Sequence, residues 1–208
     1  MAKLFNPDHP LMITMAQITD CIFLSLFWLL GCIPVVTTGA SCAALYDAMY
    51  HACRKGDKHS WQRFWRAYKE NLKPGIVPSI LFWAVLILGA WLLIQLWNRT
   101  AEGTVPMLLF SAAAFVGVFL VGILSVLFPL LSRFENSTAG LMKNTVLLAV
   151  SNAPRTLVLG FLNAAVAFCC IRLVFPLFFL PALASLIGSL FLEPMFRPYM
   201  PDEAPESS

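Results

Sequence analysis

The chain contains 208 residues, of which 59% are hydrophobic and 12% are charged, and its formal net charge is +3. Its mean hydropathy of +0.77 exceeds the value expected of a soluble globular domain. Long apolar runs occupy most of the length. The composition therefore excludes a separate soluble catalytic domain and predicts a single integral membrane domain over residues 1–208.

The apolar runs predict a polytopic, all-α transmembrane bundle with about five spans, because a helix is the only open structure that satisfies its own backbone in lipid. Arg172 interrupts the last apolar region and is predicted to mark a tight turn between two spans. Gly117 and Gly122, with residues 112–114, predict a thin face on the third span, where another helix can pack closely. The predicted spans are residues 12–34, 74–98, 105–131, 156–171 and 173–192.

A helix break follows the first predicted span, and it is formed by Pro34, Thr37, Thr38 and Gly39. Two interpretations of this break remain open. It is either a structural turn, in which the threonine hydroxyls satisfy freed backbone groups, or a broken helix that lines a small polar cavity, as in transporters.

The connection over residues 35–73 is predicted to carry two amphipathic helices on the inner face, over residues 40–54 and 61–72. The second helix mixes aromatic and basic residues, which is typical of a helix lying on an anionic leaflet. The same mixture suits the docking of a protein partner, whereas so short a loop does not favour nucleic acid. The candidate contact residues are Trp61, Arg63, Trp65, Arg66 and Lys69.

The distribution of lysine and arginine predicts the orientation. Cationic residues concentrate in the connection after the first span and in the connection after the third span. Both connections are therefore predicted to be cytoplasmic. An odd number of spans then places the N-terminus outside and the C-terminus in the cytoplasm.

Three motifs carry a resemblance to a known family. They are Leu4-Phe5-Asn6-Pro7-Asp8-His9-Pro10, then Ile33-Pro34-Val35-Val36-Thr37-Thr38-Gly39-Ala40 with Ala44-Leu45-Tyr46, and finally Phe196-Arg197-Pro198-Tyr199. Together they resemble the YesL family of bacterial integral membrane proteins, whose biochemical function is uncharacterised. The resemblance implies the bacterial plasma membrane and a genomic context beside carbohydrate importers of the ABC type. We therefore expect an accessory or regulatory role in carbohydrate uptake, with the lipid bilayer and the importer's permease subunits as partners.

Asp20 and Arg172 are the candidate polar residues within apolar segments, where an ionisable group is costly and is often functional. The competing interpretations are that Asp20 lies at the outer interface, near a helix N-terminus, and that Arg172 extends its side chain to the headgroups. An alternative function, a small transporter or channel for a solute or ion, would use Asp20 together with the helix break.

No catalytic, cofactor or metal site is predicted. His51, Cys42 and Cys53 are too few and too poorly spaced for a zinc site. Ser41, Asp47 and His51 are residue types of a hydrolytic triad, but no nucleophile-elbow motif surrounds the serine. The phosphate-binding glycine loop of ATPases has no counterpart in the sequence. We expect a protein that is not an enzyme.

Overall fold

A computed structural model describes residues 10–57, 59–133, 138–173 and 175–196 of the chain. Within these ranges all regular secondary structure is helical, with no β-strand, which confirms the predicted all-α class. Short 3-10 turns lie at Val35–Thr37, Thr100–Glu102 and Phe175–Phe178. The α-helices are α1 (Pro10–Cys32), α2 (Thr38–Arg54), α3 (Ser60–Asn98), α4 (Thr104–Arg133), α5 (Thr138–Ser151), α6 (Ala153–Arg172) and α7 (Leu180–Phe196).

Three helices in the described ranges, α3, α4 and α6, are long and apolar enough to cross a membrane. The apolar parts of α1, α5 and α7 are shorter, at Gln17–Cys32, Ala139–Ser151 and Leu180–Phe196. Each of the five predicted spans therefore corresponds to a helix, but the number that cross the membrane stays a prediction. The last helix begins at Leu180 and not near residue 173, because a 3-10 turn containing Pro176 precedes it.

The surface helix predicted over residues 61–72 and the second span predicted over residues 74–98 are not separate helices, because both belong to α3. It is one continuous helix of 39 residues that contains Pro74 and Pro78. Both prolines remove a backbone donor, which ordinarily weakens or ends a helix. Packing against α2 holds the helix across this stretch: the Ser79 hydroxyl, next to Pro78, donates to the Gly75 carbonyl at 2.6 Å and accepts from the Gly39 amide at 2.8 Å.

Helices α1, α2 and the first half of α3 form a three-helix unit. Helix α1 is antiparallel to α2, since the Ser41 hydroxyl donates to the Trp28 carbonyl at 2.9 Å near the turn between them. It is parallel to α3, because Asp20 contacts Ser60 at the start of α3, and Phe27, further along α1, packs on Phe64, further along α3, with ring centroids 5.9 Å apart. The buried core of the unit consists of Leu24, Ala44, Leu45, Ala48, Met49, Phe64, Ala67 and Ala182.

The remaining helices pack around α4. Helix α3 continues antiparallel to α4, with the rings of Phe82 and Phe128 5.2 Å apart. Helix α6 crosses α4 at two glycines, as predicted for Gly122: a Cβ on Gly122 would collide with the Thr156 carbonyl, and one on Gly160 with that of Val118. Helix α7 joins the two halves through buried residues at both of its ends.

Two motifs of the family resemblance lie almost entirely outside the described residues. Only Pro10 of the first motif and Phe196 of the last motif are described. The central motif over residues 33–46 is fully described. It forms the turn between α1 and α2 and the first half of α2.

Candidate functional site

The predicted helix break is a hydrogen-bonded turn. The Thr37 hydroxyl donates to the carbonyls of Gly31 and Pro34, both at 2.8 Å, and the Thr38 hydroxyl donates to the Val35 carbonyl at 2.8 Å. These carbonyls lie at the end of α1, where intrahelical donors run out. The geometry agrees with the structural interpretation, and the break lines neither of the two cavities described below.

The most concentrated polar site is the Asp47 cluster, which we define as Asp47, His51 and Arg63. Asp47 and His51 lie one turn apart on α2, and Arg63 reaches them from α3. Arg63 Nε donates to Asp47 Oδ2 at 2.7 Å, and Arg63 Nη2 lies 2.9 Å from His51 Nε2. A guanidinium can only donate, so His51 Nε2 is the acceptor and Nδ1 carries the proton. His51 Nδ1 then donates to the Asp47 carbonyl at 2.9 Å.

The Asp47 cluster is held as an ion pair. Burial raises the pKa of Asp47, but hydrogen bonds from His51 and Arg63, together with the Arg63 charge, outweigh burial and leave this pKa below its usual value. The Asp47 side chain is 13% exposed and that of Arg63 is 36% exposed. The carboxylate is therefore ionised at neutral pH and relies on Arg63 for compensation.

A second ion pair joins three helices nearby. Arg133 at the end of α4 donates from Nη2 to Glu193 Oε1 of α7 at 2.7 Å, and the Tyr46 hydroxyl of α2 donates to the same oxygen at 2.8 Å. The Arg133 guanidinium also lies 4.2 Å from the ring centroid of Tyr50. These contacts fix α4 and α7 against the helix that carries the Asp47 cluster.

A polar cavity of about 380 Å³ opens beside the Asp47 cluster. Its lining carries charges of both signs, from Asp57 and Glu70 as well as Arg63 and Arg66. Such a surface recognises a charged or polar group by ion pairing and hydrogen bonding. Within the described residues, no three His, Cys, Asp or Glu side chains lie close enough together to hold a metal ion.

The predicted basic and aromatic contact residues separate into two groups. Trp61, Arg66 and Lys69 are exposed. Arg63 is engaged by Asp47, and Trp65 is half-buried against Phe27, with ring centroids 5.7 Å apart. The first group is the more exposed, whereas Arg63 and Trp65 already make contacts within the protein, so their part in a contact surface stays a prediction. The sequence shows Asp47 as an acidic residue in the preceding helix, but it gives no sign that Asp47 pairs with Arg63.

Asp20 accepts a hydrogen bond from the Ser60 hydroxyl at 2.8 Å. Ser60 begins α3, immediately before the basic segment, so Asp20 lies at the same end of the bundle as that segment. The interpretation that Asp20 lies at the outer interface and the prediction that the basic segment is cytoplasmic are therefore incompatible with each other. Arg172 ends α6, exposed, with its guanidinium 5.5 Å from the Phe168 ring centroid.

Comparison with protein families gives one match, to a family described as "Protein of unknown function, DUF624", over residues 21–96. The matched range contains all of α2 and most of α1 and α3, and therefore the whole Asp47 cluster. Comparison with curated proteins and with solved structures finds no match.

Proposed function

We propose that this chain is a multi-pass protein of the bacterial plasma membrane, of the YesL type, that assists or regulates a carbohydrate importer of the ABC type. The observation that carries the proposal is an exposed cationic face on the first half of α3, formed by Arg66, Lys69 and Lys73. These residues are spaced three and four apart, so they lie on one side of the helix. The expected partner is a permease subunit that presents acidic side chains.

The Asp47 cluster supports this role because it makes the face rigid. Arg63 faces inward and ties α3 to α2, while Phe64 is fully buried in the three-helix unit. The neighbouring cations are therefore displayed on a fixed helix and lose little conformational freedom on binding. The adjacent polar cavity, with Asp57 and Glu70 in its lining, gives room for a basic or polar group of the same partner.

The proposed orientation places the basic segment in the cytoplasm, because lysine and arginine favour that side. With that orientation, the contact between Asp20 and Ser60 supports a cytoplasmic position for the first half of α1 as well. Helices α1 and α2 form a hairpin that starts and finishes at this end. The N-terminal side of the chain is accordingly proposed to be cytoplasmic, which differs from the orientation expected from five spans.

The transporter alternative has less support from the geometry. Asp20 is bonded to Ser60 at one end of the bundle and lines neither cavity, and the break residues are engaged with backbone groups.

The test is association of the full chain, expressed in its native cell, with the permease subunits encoded beside it. The double variant Arg66→Glu/Lys69→Glu reverses two exposed charges without touching the Asp47 cluster. We expect co-purification to fall by about tenfold, since each rim charge contributes up to roughly 1 kcal/mol. Arg99→Glu is the matched control, because Arg99 is an exposed cation at the opposite end of α3.

The same variants distinguish a protein partner from lipid. Binding of the basic face to anionic lipid would appear as reduced recovery with vesicles of phosphatidylglycerol and unchanged recovery of the permease. Unchanged co-purification of the permease with the double variant would refute the docking proposal. Equal losses with Arg99→Glu would also refute it, because they would show a general effect of charge.

A further inference from the structure

A second cavity of about 350 Å³ lies inside the bundle, with walls from α1, α2, α3, α4, α6 and α7. Its size falls in the range of small-molecule sites, roughly 300–1,000 Å³. Most of the lining is aliphatic or aromatic, and none of the lining residues is charged. The few polar side chains in the walls include Ser125, Asn163 and Ser185. This composition suits an uncharged, largely apolar molecule.

Ser185 has a buried hydroxyl oxygen with no hydrogen-bond partner among the described residues. In contrast, five other helical serines donate to a carbonyl three or four residues back. Those serines are Ser79, Ser111, Ser125, Ser132 and Ser189. A buried hydroxyl without a partner costs about 1–3 kcal/mol, and an acceptor placed in the cavity would remove that cost.

The edge of the cavity opens on an apolar part of the surface. Ala167 is exposed, and Cys170 and Leu177 are half-buried, where α6 faces the turn before α7. Beside them, Phe168 and Ile171 are 61% and 84% exposed. Since α6 is long and apolar enough to span a membrane, these exposed apolar side chains suit contact with lipid. A ligand that enters here comes from lipid and not from water.

We infer that this cavity binds a single-chain neutral lipid, one whose acyl chain carries an uncharged acceptor such as an ester carbonyl. The Ser185 hydroxyl donates to that acceptor, and the chain runs along the aliphatic walls and leaves between Ala167 and Leu177. An ionised head is disfavoured because no lining residue is charged. The site is independent of the cationic face of α3.

The test compares two neighbouring thiols of the purified full chain. Cys170 lines the cavity, whereas the adjacent Cys169 is exposed and outside it. The chain is treated with methyl methanethiosulfonate in the presence of methyl palmitate, and modification of each thiol is measured by mass spectrometry. Binding in the cavity slows modification of Cys170 in a saturable manner and leaves that of Cys169 unchanged. Equal protection of both thiols, or of neither, overturns the inference.

The role of the hydroxyl is tested with ligands and variants. Methyl palmitate should bind about fivefold more tightly than hexadecane, which has no acceptor, and Ser185→Ala should abolish that difference. Ala184→Leu, which fills the cavity, should remove the protection of Cys170. Leu183→Phe is its control, because Leu183 is on the exposed side of the same helix. Equal binding of the two ligands to the native chain, or full protection in Ala184→Leu, overturns the site.

Discussion

Replacing Arg63 by glutamine tests whether the Asp47 cluster holds α3 onto α2. The substitution keeps a long polar side chain but removes the charge that compensates Asp47, whose side chain is only 13% exposed. Breaking a fully buried pair costs about 3–5 kcal/mol. Arg63 is 36% exposed, so water can partly replace it, and we expect a smaller loss of about 1–3 kcal/mol.

The expected loss can be measured as a shift in melting temperature in detergent. For a chain of 208 residues, each kcal/mol corresponds to about 2–4 °C, so Arg63→Gln should melt about 2–12 °C below the native chain. The double variant Arg63→Gln/Asp47→Asn should recover part of this shift, because no uncompensated carboxylate remains. Arg66→Gln is the control, since its ion pair with Glu70 is exposed and contributes less than about 0.5 kcal/mol.

The pH dependence has a definite sign. The pKa of Asp47 is lowered in the folded protein, so its ion pair contributes fully at neutral pH and is lost in acid, as the pH falls through that lowered pKa. The melting difference between the native chain and Arg63→Gln should therefore be largest near neutral pH and shrink in acid. Equal shifts for Arg63→Gln and Arg66→Gln, or a double variant no more stable than Arg63→Gln, would refute the reasoning.

Two further predictions concern the packing and the orientation. Gly160→Ala should lower the melting temperature by more than about 4 °C, because the added Cβ collides with the Val118 carbonyl, whereas Gly89→Ala, where a Cβ meets open space, should not lower it. In intact cells, a membrane-impermeant maleimide should label Arg99→Cys but neither Arg66→Cys nor Thr19→Cys above the background of the parent chain. Labelling of Thr19→Cys from outside would contradict the proposed cytoplasmic position of the start of α1.

The apolar helices and the close α4–α6 crossing follow from local sequence. Uninterrupted apolar runs identify the helices, and Gly122 marks the crossing because only a residue without a side chain permits backbone contact there. The stop after α2 is equally local, since Gly56 adopts a φ of 69°, which favours glycine. These features depend on residue type alone, and the sequence is sufficient to predict them.

The continuity of α3 and the partners of Asp20 and Arg63 depend on distant residues. Pro74 and Pro78 favour a helix end by local rules, but α2 packs so closely on α3 that a Cβ on Gly75 would lie 3.1 Å from the Ala40 amide. That contact joins residues far apart in the chain and overrides the local preference. The pairing of Arg63 with Asp47 has the same origin. A basic residue in a basic segment gives no local sign that it faces inward.

The family match covers one of the two proposed sites, the cationic face, but not Ser185 and Cys170 of the apolar cavity. The matched range, residues 21–96, includes Asp47, Arg63 and the cationic face, so most of the three-helix unit and the proposed docking surface lie in the part of the chain that the family model matches. Ser185 and Cys170 lie outside it, on α7 and α6. The cavity therefore forms only where the three-helix unit packs against the second half of the chain. A partner that binds the cationic face need not affect the cavity, because α7 and the Arg133–Glu193 pair, rather than the Asp47 cluster, fix the cavity walls to α2.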